Sequence, residues 1–445
     1  MTGPTVFRRL TLGLSVDTAI SALALLIVFV LTIVAGQTAR AQTFSVLHTF
    51  THNLDGAAPR SGLIFDKAGN LYGTTSTGGF VGENCTGDLS GDILEGCGTV
   101  YRLKRSGSNW IFNHLYSFTG GSDGRLPIAG VIFGPNGSLY GTTIGGGGSS
   151  CEGFQYSGCG TVFNLTPQPT TCTAAICPWT ETQIYAFQGS PADGEDPANG
   201  DLIFDQSGNI YGTTSQGGAA DSGTVFKLTP SGSGWMESLL YAFSGPDGSF
   251  PYDGVIFDSA GNLYGTTNMG GSGNAGTVFE LSSAGTGWTE NVIYSFPQDG
   301  SEGVRPFAGL IFDQSGNLYG ATTEGGPAGG GTVFKLTPSN GGWEYSLLYS
   351  FTGKFACGPM ATLVMDAAGN LYGTTFCEGA HGDGSVFKLA PSSPYWTYTS
   401  LYDFTGGDDG RNPLSNVVFD TSGNLYGTTL LGGADNAGVV WKITP

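Results

Sequence analysis

Seven near-copies of the phrase Gly-Asn-Leu-Tyr-Gly-Thr-Thr run through the chain, beginning at Gly69, Gly137, Gly208, Gly261, Gly316, Gly369 and Gly423. The last five lie 53 to 55 residues apart. A period of this length means a unit that cannot bury its apolar face alone and must stack on a copy of itself. Each unit contains four strand-like runs. In the fifth copy they are Gly309–Asp313, Asn317–Gly320, Thr332–Leu336 and Trp343–Phe351, separated by Gly, Pro and Asn punctuation. No helical apolar period is present beyond residue 41. Only 11% of residues are charged, 12% are aromatic and 77 are Gly. This composition suits short strands and tight turns and opposes helices, where Gly costs roughly 1 kcal/mol per position.

Four antiparallel strands repeated at this spacing predict an all-β fold, a seven-bladed β-propeller of four-stranded blades. The seventh copy ends at its third run, Val439–Ile443, and lacks a fourth. Leu47-His48-Thr49-Phe50 aligns with Leu115-Tyr116-Ser117-Phe118, so the first strand of the mature chain is expected to complete the last blade. Such closure removes unpaired sheet edges. In the fourth run, Trp110, Trp179, Trp235, Trp288, Trp343 and Trp396 each stand six residues before a tyrosine, with Phe two further on. The even spacing predicts Trp, Tyr and Phe on one face, against the neighbouring blade.

Arg8 and Arg9 precede an uncharged stretch from Thr18 to Ala39, followed by Ala39-Arg40-Ala41. Residues 1–41 therefore read as a signal peptide cleaved before Gln42, or else as a retained anchor long enough to span a bilayer, the one membrane contact expected. Residues 42–445 form the propeller domain. No sorting tail is expected at the C-terminus. A secreted, periplasmic or cell-surface location is expected. The net charge of −19 repels nucleic-acid phosphate. It is compatible with cations, carbohydrate or a protein partner, and a monomer is expected.

Eight cysteines in an exported chain imply disulfides. Blade topology pairs them locally: Cys85 with Cys97, Cys151 with Cys159, Cys172 with Cys177, and Cys357 with Cys377.

If the Leu-Ile-Phe run is innermost, the loops from strand four to strand one (4→1) and from strand two to strand three (2→3) share one face. The 2→3 loops are long and variable, so this face is the expected binding face. Its 4→1 loops carry Asp-Gly-x-x-Pro, with acids Asp55, Asp123, Asp193, Asp247 and Asp409, and Glu302 in copy five. Asp-Gly is ordinary turn chemistry, yet a ring of carboxylates also suits Ca²⁺. No other cofactor is expected. Asp66, Asp205, Asp258, Asp313, Asp366 and Asp420 close strand one, and Gly134 replaces them in copy two, which fits a turn role. Copy six departs most from the pattern, at Lys354, Cys357, Glu378 and His381. Gly120–Gly124 matches Gly-x-Ser-x-Gly but no helix follows, and Gly271–Gly276 fails as a dinucleotide fingerprint for the same reason. His48 stands in a tyrosine slot, and His52, His114 and His381 have no metal-ligand spacing.

The Gly-Leu-Ile-Phe-Asp, Gly-Asn-Leu-Tyr-Gly-Thr-Thr and Gly-Thr-Val-Phe-Lys-Leu segments resemble the tandem repeat of the GloVer (Gloeo_Verruco) family of exported bacterial proteins across residues 43–445. The resemblance implies export and a repeat-built fold, and it carries over no catalytic residue to this chain. Asp-x-x-Gly-Asn-Leu-Tyr is also similar to repeats of lactonase-like and streptogramin-lyase-like propellers. The expected function is a binding or interaction scaffold rather than an enzyme, and the competing expectation is a polysaccharide lyase or glycoside hydrolase acting near the channel mouth.

Overall fold

The computed structural model describes residues 42–85, 96–148, 151, 158–167, 179–197, 200–232, 234–285, 287–353, 356–392 and 396–445. The segment 1–41, Lys354, and the Cys172–Cys177 pair lie outside them. Phe44–Thr444 contains seven four-stranded antiparallel sheets, each ordered first to fourth strand outward. Blade five runs Ile311–Phe312, Leu318–Thr322, Thr332–Ser339 and Gly342–Ser350. The first strands are short because a tight turn follows each one, closed by Asp in six blades and entered by Gly134 in blade two. In blade seven, Thr43–Thr49 joins Val418–Phe419, Leu425–Thr429 and Val439–Thr444 as the outer strand. Phe50 N–H then donates to Gly438 O at 3.1 Å. The ring is closed as the alignment of Leu47–Phe50 predicts.

The core lies between blades. Each seam is a cluster of buried apolar side chains from two neighbours, such as Phe243 with Phe279 at 5.0 Å between blades three and four. Burying one such Phe stabilises by roughly 1.5–3 kcal/mol.

One packing expectation fails. Trp and Tyr of the fourth strand do not share a face. Trp235 packs on Tyr140 of the preceding blade, whereas Tyr241 and Phe243 pack toward the following blade. The cause is a β-bulge. Tyr241 pairs with Val225 and Leu239 with Phe226, so Leu240 is an extra residue that reverses the inward–outward alternation. Register shifts at the equivalent place recur in blades one, two, four, five and six. The bulge lets one strand serve two seams.

The other repeated phrases also join parts together. Asp313 Oδ1 accepts the N–H groups of Ser315 and Asn317, and its Oδ2 accepts Asn317 Nδ2 at 2.6 Å and the Tyr319 hydroxyl at 3.1 Å. Burial works against the ionised form, but these bonds together outweigh it and hold the carboxyl below its ordinary value. The last Thr of strand two meets the first Thr of strand three hydroxyl to hydroxyl, as Thr267 and Thr277 do at 2.7 Å.

Candidate functional site

The 4→1 and 2→3 loops of each blade touch, which places them on one face. Ala57 bridges Thr77, Arg125 bridges Gly145, Ser249 bridges Met269, Val304 bridges Glu324 and Arg411 bridges Leu431. Glu195 pairs with Gln216 in blade three. In blade six the matching positions are Cys357 and Cys377, joined both by a backbone bond and by a disulfide. Cys85–Cys97 and Cys151–Cys159 are also disulfides. Three bridges fit an oxidising setting.

The recurring rim acids are engaged inside their own loops. Each accepts a hydrogen bond from the fourth-strand residue before it: Asp123 from Tyr116 at 3.0 Å, Asp193 from Tyr185 at 2.8 Å, Asp247 from Tyr241 at 2.5 Å, Asp409 from Tyr402 at 3.0 Å, and Glu302 from Tyr294. Asp55 is held by His48, 3.3 Å away, which does the tyrosine's work in that slot. Asp123 and Asp409 further accept a backbone N–H and a threonine hydroxyl. The Gly after each Asp is equally constrained. Gly124 has φ +95°, and a Cβ there would lie 2.1 Å from Thr143 Oγ1. These groups build turns, and they do not converge. Among the described residues, no three His, Cys, Asp or Glu side chains gather where they could hold a metal.

Glu378 replaces the first Gly of the usual Gly-Gly pair. It reaches across to Gly353 and lines a groove between blades five and six with Tyr349 and Tyr398. Burial raises its carboxyl above the ordinary range. His381 is exposed on the same loop.

The residues that do converge are others. A cavity of about 240 Å³ lies where the segments entering the first strands meet around the axis. The position just before the Leu-Ile-Phe run is Gly62, Gly130, Asp201, Gly254, Gly309, Thr362 and Asn416 around the ring. Large residues there lean into the space that glycines leave. A Cβ on Gly130 would lie 2.6 Å from Asp201 Oδ1, and one on Gly309 would lie 3.0 Å from Asp253 Cγ. Gly130 N–H donates to Asp201 Oδ1 at 2.8 Å. Asp253 Oδ2 accepts Gly309 N–H at 2.6 Å and the Thr362 hydroxyl at 2.6 Å. Asp253 so ties blade four to blades five and six.

Burial, and then the charge of Asp253 on the adjacent blade, push the Asp201 carboxyl up to about 7. Burial raises Asp253 as well, opposed by the Thr362 hydroxyl and two backbone N–H groups. Arg60 of blade one and Asn416 of blade seven line the other side, with Phe307 and Phe376 completing the wall. The cavity thus sets a cation and an amide against two carboxyls, with aromatic rings beside them.

The cavity lies on the face of the 4→1 and 2→3 loops that the sequence singles out, but residues other than the rim acids line it. The signal was present: Asp201, Thr362 and Asn416 break a run of glycines, and Asp253 stands where the other copies have Gly, Ala or Ser.

Fold and site together define an all-repeat seven-bladed β-propeller with one central cavity formed by its non-repeated residues. The Gloeobacter/Verrucomicrobia repeat matches residues 153–356 and 287–445, so the chain belongs to that repeat family. No curated protein matches. Among solved structures, a putative 6-phosphogluconolactonase from Bacteroides uniformis is 15% identical, with a TM-score of 0.45 over 76% of this chain and 82% of that one. An ulvan lyase of a polysaccharide lyase family is 10% identical, with a TM-score of 0.49 over 87% and 93%. A gluconolactonase from Xanthomonas campestris is 12% identical, with a TM-score of 0.39 over 91% and 89%. No activity follows from likenesses this remote.

Proposed function

We propose that the protein is an exported binding scaffold whose central cavity, on the face of the 4→1 and 2→3 loops, takes a small polar ligand, namely a single sugar unit of a carbohydrate. The observation that carries this reading is the convergence of non-repeated polar side chains in one cavity of an otherwise repetitive ring. Asp201, Asp253, Thr362, Asn416 and Arg60 supply both donors and acceptors, as a polyol requires, and Phe307 and Phe376 offer apolar surface for the ring's C–H groups. The volume is below the roughly 300–1,000 Å³ of drug-sized sites, which suits one terminal unit rather than a chain threaded through the channel. The protein acts as a monomer, outside the cytoplasm.

Glycan-array screening followed by calorimetry tests this. Hits should lose at least tenfold affinity in Asp253→Ala and keep it in Asp409→Asn, whose carboxyl serves its own turn. An array without hits, or hits indifferent to Asp253, would overturn the reading.

A second reading, a polysaccharide lyase or glycoside hydrolase at the same cavity, is favoured by the Asp201 carboxyl near 7. A group poised at the working pH suits general acid–base chemistry. Turnover of a hit that Asp201→Asn abolishes without loss of binding would establish it, and binding without turnover would exclude it.

A further inference from the structure

The seams between blades change character part way round the ring. At four of them an aromatic residue near the start of the fourth strand stacks on the preceding blade's fourth-strand ring. Phe44 lies on Tyr402 at 3.8 Å, Phe112 on His48 at 4.4 Å, Tyr345 on Tyr294 at 5.0 Å and Tyr398 on Tyr349 at 4.7 Å. At the three consecutive seams joining blades one to four, the equivalent residue is Glu181, Glu237 or Glu290.

Each of these glutamates faces a carboxylate already in use. Glu181 meets Asp123 and Tyr116, Glu237 meets Asp193 and Tyr185, and Glu290 meets Asp247 and Tyr241. The aspartates accept the tyrosine hydroxyls and also the N–H groups of Thr119, Gln188 and Ser244. Within its own blade, each glutamate pairs across with an apolar Leu165, Leu228 or Leu281. Among the described residues, no lysine or arginine acts on any of the three. In all three, Oε1 is sealed from solvent and has no hydrogen-bond partner among the described residues. A buried orphan oxygen facing a second carboxylate is costly once, and here it occurs three times in register.

We propose that each of these three seams takes up one proton on its glutamate, so that the arc from blade one to blade four is tight in mildly acidic water and loosens in mildly alkaline water. A proton taken from solvent neutralises a glutamate whose Oε1 is sealed and without a partner, and removes its like-charge repulsion with the neighbouring aspartate. Burial first, and the neighbouring aspartate second, push all three glutamic acids up to about 7. These folded values lie above the ordinary glutamate value. The stabilisation is therefore whole below about 4.5 and is lost as pH rises through about 7. Ordinary carboxylates are already ionised above about pH 6, while histidines and Asp196, which is raised to about 6, titrate at the lower end of the window from pH 6 to 8.5, so the glutamate variants are needed to single out the seams. Asp201 also titrates in that window and needs its own control.

The test is the melting temperature of the whole chain at pH 6 and pH 8.5, for wild type, Glu181→Gln/Glu237→Gln/Glu290→Gln, and Asp201→Asn. Glutamine keeps the shape and donates permanently. Wild type should lose several degrees between the two pH values, and Asp201→Asn should retain most of that loss. The triple variant should lose much less and melt above wild type at pH 8.5. Infrared spectra of the wild-type protein should show a protonated-carboxyl stretch at pH 6 that vanishes by pH 8.5. If the triple variant fails to fold, the same band in single Glu→Gln variants decides, each removing part of it. Equal pH slopes in wild type and triple variant, or no such band, would overturn the proposal. So would a glutamate-dependent rise in melting temperature with Ca²⁺ at pH 8.5, which would mean that the seams hold a cation instead.

Discussion

At the scale of single residues, the repeat hides its most informative positions among its smallest ones. Gly130 and Gly309 look like ordinary members of a glycine-rich unit, yet they make the room that Asp201 and Asp253 occupy. Gly130→Ala should therefore act as a lesion of Asp201. Its Cβ forces the carboxyl out of place, so stability should fall by about 1–3 kcal/mol in denaturant titrations, together with loss of ligand affinity. The strand-closing Asp behaves differently. Asp313→Ala removes four hydrogen bonds to a carboxylate, and a loss of about 2 kcal/mol is expected by the same measurement. Asp201 also gives a pH signature. Its folded value is raised to about 7, so below that pH it donates a hydrogen bond and above it carries charge. Affinity for a neutral sugar measured by calorimetry should change across pH 6–8 in wild type and stay flat in Asp201→Asn.

At the scale of strands and loops, most of the architecture could be read from the repeat. The four runs, the closing Leu47–Phe50 segment and three of the local disulfides are where spacing places them, because period and turn residues act locally. What spacing could not show was the bulge. One extra residue, Leu240 in blade three, reverses which seam Trp235 serves, and no residue type announces it. The rim acids were visible as a pattern, but their use depends on the Tyr six to eight residues earlier, a contact made only once the loop has closed. The seam glutamates were unread because Glu181 is two residues from a Trp and looks solvent-facing until the neighbouring blade is in place. Replacing Glu237 with Phe, the type found at the sister position Phe112, should restore the stacked seam and raise the melting temperature at pH 8.5. A lower melting temperature would show that the carboxylate contributes more than it costs.

At the scale of the whole molecule, closure turns seven marginal sheets into one cooperative body. Trp441 is fully buried, and Phe44 packs over it at 6.4 Å. Deleting residues 43–50 uncovers that edge and should yield aggregates in size-exclusion chromatography; a monomer with unchanged melting would contradict the closure. Closure also makes the centre special, since only there do all seven blades contribute side chains to one space. The centre is where the repeat was free to diverge, and it diverged toward Asp, Thr, Asn and Arg. A crystal structure of the protein soaked with its best glycan-array hit tests this most directly. The account predicts the terminal sugar in the central cavity, hydrogen-bonded to Asp253 and beside Phe307. Sugar bound on the outer strands or on the opposite face, with the cavity empty, would contradict it.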